Sequence, residues 1–78
     1  MQPYLPDNEL IPERPPHQER VLQEEKELNE RIQKLEEFIT GSIFPTLNRD
    51  EQWRLKRQLV VMCVYSEVLH ERILNFPG

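Results

Sequence analysis

From His17 to Thr40 the chain runs without a glycine or a proline, while five of its seven prolines (Pro3, Pro6, Pro12, Pro15 and Pro16) crowd into the first sixteen residues. Proline removes a backbone donor and biases the residue before it away from helical geometry. The opening segment is therefore no long helix, and the segment after it is free to be one. Within it Val21, Leu28 and Leu35 recur at seven, and Ile32 and Ile39 fall four after the last two. That spacing lays one apolar stripe along an α-helix. Glu27 with Arg31 and Glu30 with Lys34 place acid before base at i,i+4, an order worth about 0.2–0.5 kcal/mol per pair on an exposed face. Gly41 supplies a stop.

The loop from Gly41 to Leu47 contains Pro45, and Asn48 followed by Glu51 has the form of a capping box opening a second helix. That helix is expected from about Arg49 to Asn75, roughly 40 Å long at about 1.5 Å per residue. Leu55, Leu59, Met62, Leu69, Ile73 and Phe76 form one stripe along it, suited to packing against the first helix as an antiparallel hairpin. The expected fold is all-α: a two-helix antiparallel hairpin over residues 17–78, preceded by a proline-rich N-terminal arm over residues 1–16. Tyr4, Leu5, Leu10 and Ile11 give that arm more apolar character than a solvated tail carries. They suit an extended strap on a neighbouring surface.

A 78-residue chain buries little surface, and its single cysteine, Cys63, allows no internal disulfide. No Cys/His set exists for a structural zinc site, so the remaining staple is another chain. The run Leu59, Val60, Val61, Met62, Cys63, Val64, Tyr65 is apolar all the way round the helix, and one partner helix covers only one side of it. Copies of the same chain are the simplest cover. A helical homo-oligomer is expected, with Leu59, Val60, Met62, Cys63, Val64, Tyr65 and Leu69 at its interface.

Fourteen acids against ten bases give a net charge of −4, which repels duplex nucleic acid and obliges any bound anion to find a local basic pocket. No apolar run approaches the roughly 20 residues of a membrane span, and no basic-then-apolar leader opens the chain. A reducing cytoplasm is the expected setting. His17 and His70 lie outside any recognisable nucleophile or metal arrangement, and Cys63 sits within the apolar run. The expectation is no enzyme, no cofactor and no metal, with Glu24, Glu25, Glu27, Glu30, Glu36 and Glu37 forming a solvated face.

Arg49, Arg54, Lys56 and Arg57, with Trp53 among them, open the second helix, where the helix dipole also favours anions. Arginine forks beside an aromatic plane suit phosphate and base recognition. The competing reading makes them the wet side of the helix, with Trp53 packed on Phe44. On the first helix His17, Arg20, Lys26, Arg31 and Lys34 recur among the acids. An oligomer can converge such scattered cations into a pocket between chains.

Two segments carry a family resemblance. His17-Gln18-Glu19-Arg20-Val21, Glu25-Lys26-Glu27-Leu28-Asn29 and Lys34-Leu35-Glu36-Glu37-Phe38-Ile39 resemble the first helix of a group of very small tailed-bacteriophage proteins. Gln58, Met62, Tyr65, Leu69, Arg72 and Ile73 are similar to its second helix. Together these segments span about Pro16 to Phe76. The group includes anti-CBASS sponges, which sequester the cyclic oligonucleotide signals of bacterial antiphage immunity.

The resemblance implies a helical homo-oligomer, hexameric in the sponges, that holds cyclic dinucleotides between protomers and in some members cyclic trinucleotides, without cleaving them. It places the protein in the cytoplasm of an infected bacterial host, as an agent of immune evasion. An aromatic near the N-terminal end stacks on a base in the family. His17 stands at that position where tyrosine is expected, with Tyr4 as a substitute, and Lys34 or Lys26 is the candidate phosphate contact. The ligand-binding pool is therefore His17, Arg20, Lys26, Lys34, Arg54 and Arg57. A longer proline-rich arm sets this chain apart from the group. The alternative function is a helical interaction module that binds and inhibits a host protein through the arm or the apolar surface.

Overall fold

The computed structural model describes residues 15–77, so most of the arm, with Tyr4, Leu5, Leu10 and Ile11, lies outside the described residues. Helix α1 spans Pro16–Ile39. Pro16 opens it at a position whose amide has no intrahelical acceptor to lose, and its fixed φ already suits a helix. The extended Pro15 carbonyl accepts from the Gln18 and Glu19 amides at 3.0 and 3.2 Å. At the other end Thr40 closes the helix, its hydroxyl donating to the Glu36 and Glu37 carbonyls at 3.0 and 3.2 Å. Gly41 follows, and its amide donates to Phe38.

A single 3-10 turn, Phe44–Thr46, reverses the chain. The Gln52 amide reaches back to the Leu47 carbonyl at 2.8 Å, tying this turn to the start of the next helix. Helix α2 spans Arg49–Leu74. Asn48 caps it as expected, its side-chain oxygen accepting from the Glu51 amide at 2.9 Å. The reciprocal half of the capping box does not form, because the Glu51 carboxylate turns to Arg54 at 3.0 Å.

The helices pack antiparallel. Asn29 meets Ser66 and Glu25 meets His70, so each step back along α1 is matched by an equal step forward along α2. Val21, Leu28 and Leu69 form the buried centre, with Ile32, Met62, Ile73 and Phe76 packed around it. Of the expected α2 stripe, Met62, Leu69, Ile73 and Phe76 join this core, and Leu55 and Leu59 are half-buried. Among the described residues Leu69 alone is fully enclosed, a burial worth about 1.5–3 kcal/mol. The Glu27–Arg31 and Glu30–Lys34 pairs do not form among the described residues, and Glu27 accepts instead from Gln23 at 2.9 Å. Such exposed pairs bring too little energy to hold long side chains in one rotamer.

Candidate functional site

Among the described residues the hinge end gathers Lys34, Arg49, Arg54, Lys56 and Arg57 with Phe38, Phe44 and Trp53. Phe44 is buried and meets Phe38 edge-on, with ring centres 6.4 Å apart. The Lys56 ammonium lies 5.8 Å from the Phe44 ring centre, and the Arg57 guanidinium lies 4.4 Å from that of Trp53. Trp53 thus stays on the surface under Arg57, while Phe44 meets Phe38 and Lys56. The ring pairing at Phe44 is with Phe38, and Trp53 is 59% exposed. A cation held over an exposed ring keeps its charge available to an anion while the ring offers a stacking plane.

Lys34 reaches this same end from α1. It lines an open groove of about 350 Å³ with Glu37, Phe38, Gly41, Ser42 and Ile43. Arg54 is tied to Glu51, an exposed pair that an incoming anion can displace at small cost. Lys26 is exposed on α1 nearer the middle. His17 and Arg20 stand at the opposite end, about 25 Å from Lys34 along the helix axis. One chain therefore carries Lys34, Arg54 and Arg57 toward its hinge end, Lys34 in a groove built from α1 and the hinge alone, and keeps His17 and Arg20 at the other end.

A second groove, of about 440 Å³, runs along the middle of the hairpin between Glu25, Asn29, Ser66, Glu67, His70 and Glu71. Its inner rim is stitched by the Ser66–Asn29 hydrogen bond at 2.6 Å and the His70–Glu25 contact at 3.1 Å. No sequence motif announces it, since its members lie about forty residues apart and meet only once the hairpin register is set. Among the described residues no three His, Cys, Asp or Glu side chains are grouped to hold a metal ion. No helix there is long and apolar enough to cross a membrane.

Over residues 15–75 the chain matches the Sequestin family. This chain belongs to the Sequestin family. No curated protein and no solved structure matches it. The Sequestin match takes in both helices and the hinge, and with them all six ligand-binding candidates. The family name is compatible with holding a ligand.

Within this Sequestin hairpin the expected interface residues divide. Leu69 and Met62 are taken up by the contact between α1 and α2 of one chain. Leu59 and Cys63 are half-buried, and Val60, Val64 and Tyr65 face outward. Val61 and Val68, which that set left out, are also exposed.

Proposed function

We propose that this protein sequesters small anionic nucleotide signals, cyclic di- and trinucleotides, in pockets between protomers of a homo-oligomer, holding them intact and so denying them to a bacterial antiphage response of the CBASS type. The observation that carries this reading is membership of the Sequestin family across both helices. The hinge end supports it, with Lys34 beside Phe38, Lys56 over Phe44, Arg57 over Trp53 and Arg54 held only by the exposed Glu51. A cyclic dinucleotide carries two negative charges and two flat bases. Stacking contributes about 1–3 kcal/mol per base, and a charge-assisted hydrogen bond about 1.5–3 kcal/mol. Two of each reach micromolar binding, near −8 kcal/mol, after the cost of association.

The reading places the ligand between chains because His17 and Arg20 lie at the far end of the hairpin from Lys34. Its setting is the cytoplasm of the infected host, and it involves no chemical step. The test is a thermal-shift screen of the full chain against cyclic dinucleotides, cyclic trinucleotides and single-base nucleotides bearing a pyrophosphate, with light scattering on the same sample. A ligand that binds only the folded state raises the melting temperature by mass action. A shift with a cyclic oligonucleotide, recovered intact afterwards, supports the proposal. A shift confined to single-base nucleotides overturns the ligand identity while keeping sequestration. No shift on an assembled oligomer overturns both and favours the module that inhibits a host protein.

A further inference from the structure

The face of α2 turned away from α1 has a pattern that the hairpin itself does not use. At about 100° per residue, Val60 and Val64 lie opposite the Leu69, Met62 and Ile73 stripe, with Val61 and Val68 on the flank beside them. In that order they are 62%, 52%, 62% and 46% exposed. Four valines in a row on a helix are poor solvent-facing residues. Valine loses rotamer freedom in a helix, and here it gains no burial in exchange.

The charges that bracket this strip are opposite in sign. Arg57 stands seven residues before Val64 and Glu71 seven after it, both exposed. At about 100° per residue both fall on the side of α2 away from Leu69, Glu71 also forming the outer edge of the groove beside His70. Among the described residues neither is in an ion pair: Arg57 lies over Trp53, and the Glu71 carboxylate meets no cation. Next to the two ends stand Trp53 and Leu74, 59% and 70% exposed. Reversed end for end about Val64, the Val60, Val64 and Val68 ridge and its Arg57 and Glu71 ends are self-complementary, while Val61 falls beside Glu67 at the edge.

We propose that a second copy of this chain docks antiparallel on this face about a two-fold axis near Val64, with Arg57 of each copy paired to Glu71 of the partner subunit. The proposal gives a register to the homo-oligomer put forward above. Val64 meets the partner's Val64, Val60 meets the partner's Val68, and Trp53 comes beside the partner's Leu74. A parallel in-register pair would instead set Arg57 against Arg57 and Glu71 against Glu71, two repulsions in place of two attractions. Closed two-fold contacts of this kind are isologous, each surface serving as its own complement. Arg57 then belongs to the interface, and anion binding at the hinge end falls to Lys34, Arg54 and Lys56.

The test is sedimentation of the full chain over a dilution series, comparing wild type, Arg57→Glu, Glu71→Arg and an equal mixture of the two variants. Each variant alone faces like charges twice, and its self-association is expected to weaken by about tenfold or more. The mixture restores both opposite-sign pairs in a heterodimer and is expected to associate about as tightly as wild type. Val64→Arg, with helicity checked by circular dichroism, places two like charges at the axis and is expected to leave a folded, dissociated chain. A monomeric wild type, or a mixture no tighter than either variant, overturns the proposal. Thermal shift with cyclic nucleotides on the same samples separates the two readings. Pairing without a ligand shift removes only the sequestration reading, and a ligand shift on a monomer removes only the register.

Discussion

The Ser66 hydroxyl donates to the Asn29 side-chain oxygen at 2.6 Å, across 37 residues of sequence. It is the shortest polar link between the two helices, and it lies one turn from the His70–Glu25 contact at 3.1 Å. Apolar stripes alone tolerate sliding, because one leucine packs much like the next. Directional bonds at two successive turns oppose a slip of one helix along the other.

This link has a measurable worth. Ser66→Ala and Asn29→Ala should each lower stability by about 0.5–1.5 kcal/mol in urea unfolding. The double variant should lose less than the sum of the two, because both remove the same bond. Strict additivity would show that the pair is uncoupled in solution.

Leu69 is the most enclosed side chain of the core. Truncation by Leu69→Ala removes buried methyl groups from a hairpin with few others to compensate, and should cost about 2–5 kcal/mol. Denaturant melts followed by circular dichroism read this directly. A loss below about 1 kcal/mol would place the stabilising contacts elsewhere.

Asn48 caps α2 with a 2.9 Å bond to the Glu51 amide. Asn48→Ala should destabilise by about 1 kcal/mol, while Asn48→Asp, which can accept the same bond, should change little. Equal losses in both variants would indicate that the cap bond is not what Asn48 contributes.

The hinge-end cations should matter to ligand affinity more than to folding. With a cyclic nucleotide identified by thermal shift, Lys34→Ala or Arg54→Ala should weaken Kd by about 10- to 150-fold, the equivalent of one lost charge-assisted bond. His17→Ala at the far end of the hairpin should also weaken it, since the proposed pocket spans two chains. Calorimetry showing an effect from one end only would confine the pocket to a single chain.

The sequence by itself determined the elements and their ends. Heptad spacing from Val21 to Ile39, the Pro16 start and the Asn48 cap are local effects, decided within one or two helical turns of each residue. The observed helices accordingly run Pro16–Ile39 and Arg49–Leu74, within a residue of the expected ends. A family resemblance was legible in spaced helix residues, because such spacing survives in the chain itself, and the chain belongs to the Sequestin family.

Only the tertiary structure decided which apolar residues were consumed. Leu59 to Tyr65 reads as uniformly apolar, and nothing local distinguishes Met62, which packs on the core, from Val60 and Val64, which do not. That choice depends on where α1 settles against α2. The fold of the hinge likewise brought Phe44 to Phe38 across six residues, whereas Trp53 under Arg57 and the distance from His17 to Lys34 are spacings within one helix. A helix spaces its own residues by rule, but contacts between helices depend on a register that residues distant in the chain settle together.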